Sequence, residues 1–503
     1  MDTTHNASDE NLEGVYIPKS YQFERDMDTA DLDSRLDVLA FDDNANIHFV
    51  YDNMDDLIKT EDGRKTLAHM INTFFNSQKE RLSILEGYSK GQNYTIRNGR
   101  RRIEQLKADY RISHNWGGYI SSFATSYLMS RSITIGTKQL DDDETETLQS
   151  INDINADNDI DTLNYELGFD ASRYGRAFEL HYRDDTGDKI VQIDPQEIFV
   201  IRSADVSKQM IGAVHLPIYN GKVHMTIYTD THRYKYEPYE QGAVSFQLKD
   251  EGKHGYGMVP VVEWWNNRFR QGDFETEIPL IDGYDSVQSD TANYMSDIND
   301  AMLVINGDLL TAGIGANEAD KMIKANVLLL ETGLDHTGKQ TSASAEYIYK
   351  QYDVAGSEAY KKRLVNDIYK LSKIPNLDDD RFDANNSGIA LKYKMLGLEQ
   401  MRSIKESFYT RALRRRYRII ESMHSGLNKH DITANDLTFT FHTNLPEDIW
   451  SEVVQFVNVG GVVSDTTLME LASFIESPDD EKAKIANDGI RPDATDEQLN
   501  GER

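Results

Sequence analysis

Two runs of consecutive aspartates, Asp141 to Asp143 and Asp378 to Asp380, are the side chains in this sequence best suited by type to bind a divalent cation or carry a proton. Three neighbouring carboxylates in a loop do not converge on one ion unless other elements bring further ligands, so the spacing favours solvated acidic loops over a catalytic metal site. The thirteen histidines are scattered and none lies in a His-Glu-x-x-His helix, which leaves them as surface or hydrogen-bonded core residues rather than ligands. No glycine-rich loop leads into Lys-Ser or Lys-Thr, and the glycines of GDLLTAGIGAN lack the spacing and strand-to-helix context of a dinucleotide fingerprint. Cysteine is absent, which removes disulfides, thiolate zinc sites and cysteine nucleophiles together. These residues point away from catalysis and call for no cofactor.

Positive charge is concentrated in one place, the stretch TRALRRRYR at 410–418. On a helix, Arg411, Arg414, Arg415 and Arg418 share a face through spacings of three and four. Within a chain so rich in acids that stripe would most simply form salt bridges, and between chains it would meet an acidic neighbour. Direct contact with phosphate is the sharper alternative.

The whole chain of 503 residues carries a formal net charge of -31, with 39% hydrophobic residues to build cores. So acidic a molecule repels phosphate and anionic lipid, which argues against a sequence-reading nucleic-acid binder. The N-terminal stretch has neither the basic start nor the apolar run of a signal peptide, and the longest apolar run, GMVPVVEWW, is far short of a membrane span. A soluble protein is expected, made and used in the cytosol or packed into a particle there.

Several elements must position these residues. Residues 1–60 are rich in Asp and read as a mobile acidic arm with short helical pieces. From Asp62 to Ser89 the pattern is helical, with Leu67, Met70, Ile71, Phe74 and Phe75 on one side, and a second helix is expected from about Arg102. Helix, turn and a strand near Ile133 follow, and from Leu163 to Phe269 the signal is mostly β, with a hairpin turn at Asp-Asp-Thr-Gly, 184–187. A helix running to Met302, polar and wet on both flanks, then a small insert with the strands NVLLLE and EYIYK, and then a helix carrying Tyr360, Leu364, Ile368 and Leu371 complete an out-and-back excursion that Pro375 ends. The acidic stretch NLDDDRFDANNSG separates it from a long helix, Ile389 to Met423, with Leu391, Met395, Leu398, Met401, Ile404, Phe408 and Ala412 on one seam. Two helices around 447–459 and 464–475 form a small terminal unit. The class expected is α+β.

This order of parts resembles the portal proteins of long-tailed bacteriophages. The segments that carry the resemblance are NWGGYISSFATSYLMSRSITI, SRYGRAFELHYRDDTGDKIVQIDPQEIFVI, YTDTHRYKYE, GMVPVVEWWNN, LIDGYDSVQSDTANYMSDINDAM and NNSGIALKYKMLGLEQ, spread over residues 110–425. None is a signature alone; their order and spacing make the match.

The resemblance implies a ring subunit with a wing at 61–277, stem helices at 278–303 and 356–375, a small α/β clip at 304–355, a tunnel loop at 376–388, a long linking helix at 389–425 and an α-helical crown with a charged tail at 426–503. Residues 1–60 match the family poorly and carry no implied role. It further implies a homododecamer at one vertex of the virion capsid, assembled in the host cytoplasm, without enzyme activity and without membrane contact. The implied partners are double-stranded DNA passing through without sequence specificity, the terminase large subunit, head-completion or adaptor proteins, and the major capsid and scaffolding proteins. Asp378, Asp379, Asp380, Arg381, Asp383, Asn385, Asn386, Ser387 and Gly388 would form the tunnel loop, its acids repelling phosphates so that DNA slides without sticking. A metal-dependent nuclease of the packaging machinery and a structural head protein without a channel are the alternatives from other classes.

Overall fold

In a computed structural model, the protein is described over residues 12–17, 46–97, 108–138, 142–299, 302–307, 327–331, 344–348, 353–376, 395–427 and 432–442. Residues 377–388 of the expected tunnel loop, most of the insert at 304–355, the start of the long helix at 389–394 and the expected terminal helices lie outside the described residues.

Helices begin where side chains satisfy the free amides of the first turn. Asn53 caps α1 (Met54–Lys59), Thr60 caps α2 (Glu61–Thr73), and a single π turn at Phe74–Gln78 leads into α3 (Lys79–Ser89). After α4 (Tyr94–Arg97), residues 108–115 run without helical structure, and Asn115 then caps α5 (Trp116–Met129). The helix expected from Arg102 falls on residues outside the description as far as 107 and does not continue beyond it. The chain next forms α6 (Asp142–Asp157) and α7 (Ile160–Tyr174). Asp142 and Asp143 thus open a helix instead of lying in a loop, at the end where acidic residues are favoured. The segment after Leu163 is helical too, because Leu163, Leu167, Ala171 and Tyr174 recur at helical spacing and are buried.

Two main sheets follow. The larger has strands in the order 248–253, 232–236, 226–228, 210–215, 198–203 and 49–51, all antiparallel except the last pair. Phe49, Phe74, Phe75 and Phe199 make its aromatic core against α2, with ring centroids 4.6–5.6 Å apart. The smaller runs 261–265, 176–184, 187–193, and its hairpin closes at Asp184–Gly187 as the turn residues indicate. Part of the supposed acidic arm belongs to this body. Leu12–Ile17 pairs antiparallel with Gly242–Phe246, and Leu12, Val15, Leu57 and Ile58 are fully or almost fully buried. Their apolar positions are few, but each meets a preformed core, so acidic composition nearby does not keep them in water.

Three helices complete the architecture of the described residues. The first, α8 (Ile278–Asn299), ends earlier than its apolar pattern suggested, because Met302–Gly307 is a strand between a parallel partner, Val327–Glu331, and an antiparallel one, Ser344–Ile348. The second, α9 (Val354–Ser372), is capped by Asp353 and closes on Lys373 in the left-handed region ahead of Pro375. It runs antiparallel to α8: Trp116 packs on both Tyr284 and Tyr369, and Leu364 lies over Gly283. Of the apolar positions expected on α9, Leu364 and Ile368 are buried while Tyr360 and Leu371 are exposed. The third, α10 (Leu396–Gly426), has 31 residues and so spans about 46 Å. Its buried face passes through Leu398, Met401, Lys405, Tyr409, Ala412, Arg416 and Ile420, so Ile404 is exposed and Lys405 is inside.

Candidate functional site

Buried charge fixes α10 to the rest of the body at two points, Arg416 and Lys405. The guanidinium of Arg416 meets the carboxylate of Glu179 at 2.5 Å, both side chains being fully buried, and also donates to Asn164 Oδ1 at 2.8 Å. Trp264 Nε1 donates to the same carboxylate at 3.2 Å. Burial alone would raise the pKa of Glu179, but Arg416 overrides it and holds the carboxyl down at about 2. About two turns from the start of α10's buried face, Lys405 Nζ lies 2.6 Å from Asp273 Oδ2 and donates to Asn266. A third buried pair, Arg81 and Glu275 at 2.5 Å, locks α3 to the turn that starts α8.

One flank of α8 is not wet. Asp282, Asp285, Ser289 and Asn293 recur at spacings of three and four on one face, and Asp285 and Ser289 are fully buried. The segment 108–115 lies along that face: Tyr110 N donates to Asn293 at 2.8 Å, Ile112 N to Ser289 at 2.9 Å and His114 N to Asp285 at 3.1 Å. His114 Nδ1 and Asn93 Nδ2 complete the contacts of Asp285 at 2.7 and 2.8 Å. Tyr88 donates to Asp282 at 2.6 Å, and burial pushes the pKa of that carboxyl up.

The basic stripe faces a cleft of 860 Å³ between α10 and the large sheet, in which Arg411, Arg415 and Arg418 take part with Arg202, Trp265 and Lys208. The four arginines do share a face, but the expected salt bridges do not form among the described residues. Arg415 donates instead to the backbone carbonyls of Val259 and Val261 at 2.9 and 3.0 Å, Arg411 lies 3.8 Å from the Trp265 ring centroid, and Arg418 donates to Asn435 at 3.0 Å. Arg414 is exposed. Acids for pairing were assumed from composition, yet the surface beside the stripe offers carbonyls and an indole. The residues of the expected tunnel loop, Asp378 to Gly388, lie outside the described residues.

Among the described residues no group of three His, Asp or Glu side chains is arranged to hold a metal ion, and no helix is long and apolar enough to cross a membrane. A family model for phage portal proteins, SPP1 Gp6-like, matches residues 68–491. The chain belongs to that family. The portal protein of Bacillus phage SPP1 is 23% identical over 419 residues, covering 79% of each chain. The portal protein of Clostridium phage phiCD119 is 22% identical over 323 residues, covering 60% of this chain and 68% of its own. A solved structure described as the neck of a native GTA particle with C12 symmetry overlaps 71% of this chain and 89% of its own at 9% identity, with a TM-score of 0.38.

In this portal-family chain the buried arginines escaped the reading of residue types. Arg416 sits beside Arg415 in an unbroken run, and its role shows only in the hydrophobic neighbours Leu413, Tyr417 and Ile420, which mark the buried side of the helix. Arg176, Arg202 and Arg270 are isolated in strands and a turn, with no local pattern to single them out.

Proposed function

We propose that this phage portal protein forms a closed ring of subunits at one capsid vertex and that the ring is the channel for the genome during packaging and ejection. The observation that carries the reading is the antiparallel pair α8 and α9, which brackets a small three-stranded sheet and leads on to the long helix α10. An excursion of that kind suits an axial tube better than a shell tile. In this reading the wing comprises residues 61–277, α8 and α9 are the stem, the sheet at 302–348 belongs to a clip that meets the terminase and later the adaptor proteins, and α10 links stem to wing.

Twelve helices spaced about 10 Å apart make a circle of roughly 38 Å between axes and leave about 28 Å free, enough for a duplex. Asp378, Asp379 and Asp380 would line the narrowest point and keep phosphates from adhering. Twelve copies at -31 give 12 × -31 = -372, so assembly would be favoured by salt or divalent cations that screen the repulsion.

Native mass spectrometry of the purified protein, with negative-stain images of the same sample, tests the ring. Closed rings with a central hole, more abundant as salt rises, are the expected result. A monomer at every salt and magnesium concentration would overturn the reading.

A further inference from the structure

The cleft beside α10 holds more positive charge than its own acids neutralise. Glu263 is the fully buried carboxylate at its floor, and three guanidiniums surround it: Arg202 in direct contact, Arg270 at 3.6 Å and Arg176 at 4.0 Å. Arg270 and Arg176 are 8% and 3% exposed, yet the Nε atoms of Arg176, Arg202 and Arg270 are buried without any hydrogen-bond acceptor. The neighbours of Arg270 and Arg415 do not help. Arg270 donates to His48, whose pKa burial and Arg270 itself push down to about 4, so that ring is neutral near pH 7. Arg415 reaches two backbone carbonyls and Met210 Sδ, and Arg411 reaches the rings of Trp265 and Phe408, none of which carries a counter-charge. Arg202, Lys208, Arg411, Arg415 and Arg418 thus line the cleft against Glu263, Asp52 and Asp230, and Arg176 and Arg270 add two further guanidiniums beside Glu263. Burial, and after it the repulsion of Arg202, brings the pKa of Arg415 down to about 10, as expected for cations held close without enough counter-charge.

The shape of the cleft narrows the choice of anion. A duplex offers phosphates on a convex rod and binds through many contacts spread along a surface, whereas these cations converge inside a concavity. Trp265 has no face left to stack a base, since Arg411 and Arg270 lie 3.8 and 4.0 Å from its centroid. A slender chain bearing carboxylates fits both facts, and guanidiniums bind carboxylates with charge-assisted, often paired hydrogen bonds. The protein is itself rich in such chains: between Glu24 and Asp43 it carries eight acidic residues against two arginines. Copies joined head to tail in a ring must present two different, complementary patches to each other, and copies with a charge of -31 need a basic patch to offset their repulsion.

We propose that this cleft receives the carboxylates of an acidic segment from a second copy of the chain. The proposal rests on the ring reading above.

Lys208, an exposed amine on the wall of the cleft, reports on the occupant. A mixture of unlabelled and ¹⁵N-labelled protein is treated with a zero-length carbodiimide, digested and analysed by mass spectrometry, alongside native mass spectra of the same sample. The expected result is Lys208 peptides joined to Asp- or Glu-bearing peptides of the opposite label, with a yield at least about tenfold lower in the Arg411→Glu variant, whose exposed side chain lets the fold survive. Rings without coupling at Lys208, or with coupling only within one label, overturn the proposal and leave the ring. Coupling between labels without rings keeps the cleft assignment and removes the ring. Loss of coupling on adding stoichiometric duplex DNA, with rings intact, assigns the cleft to nucleic acid and overturns the proposal.

Discussion

Replacing Glu179 by glutamine keeps the volume of the side chain and removes the charge that neutralises Arg416 inside the core. Arg416 holds the folded-state pKa of Glu179 at about 2 against an ordinary 4.5, so the charged carboxylate contributes a stabilisation on the order of 3 kcal/mol. Because the folded pKa is lowered, this contribution is fully present above about pH 4.5 and is lost as pH falls through about 2. Breaking a buried ion pair by removing one partner costs about 3–5 kcal/mol in general, which agrees with the figure from the pKa. Urea denaturation at pH 7, followed by the fluorescence of Trp264 and its fellows, should therefore show Glu179→Gln less stable by about 3 kcal/mol or more. Over the acid range the variant should lose less stability than the parent, since it has no carboxylate to protonate at that site. Pairing Glu179→Leu with Arg416→Met should recover much of the loss, because an apolar pair leaves no buried charge. A loss below about 1 kcal/mol in Glu179→Gln, or strict additivity in the double variant, would refute the view that this pair holds α10 to the sheet.

Gly175 ends α7 at φ +84°, and an added Cβ would stand 2.0 Å from the carbonyl oxygen of Arg270, so Gly175→Ala should cost at least about 2 kcal/mol in the same denaturation assay. Asp285→Asn should loosen the segment 108–115 from α8 at a cost of about 1–3 kcal/mol, visible as faster hydrogen exchange at the amide of His114, which donates to that carboxylate. Neutralising Asp378, Asp379 and Asp380 together to asparagine should lower the rate or yield of DNA packaging in a reconstituted assay, by removing repulsion between loop and phosphate; unchanged packaging would dispose of the repulsion account.

Where the sequence was legible, one local pattern met one core. Leu67, Met70, Ile71, Phe74 and Phe75 follow a helical period and are all buried, and Asp184 to Gly187 closes the hairpin that its residue types describe. Legibility failed where burial depends on a distant partner. Asp285, Ser289 and Asn293 read as a wet face until the segment 108–115 covers them, as Tyr88 and Thr95 cover Asp282, and nothing within α8 announces that cover. Met302 continues an apolar helical pattern, but the ladders to 327–331 and 344–348 decide for a strand. The arginine stripe shared a face as its spacing required, while its partners, two carbonyls, an indole and an amide, were set by elements up to 156 residues away.

The pair of Arg416 and Glu179 also constrains how a subunit comes into being. Its members stand 237 residues apart in the chain. At a synthesis rate of about 5–20 residues per second, the glutamate emerges roughly 10–50 s before its arginine exists. During that interval the strand that carries Glu179 cannot bury its carboxylate without a heavy desolvation cost, so the sheet has reason to stay open. Helix α10 then acts as a keystone: only a polypeptide extended past Arg416 can close the body that a ring would be built from, and chains ended before it are left unable to compete for a place in it.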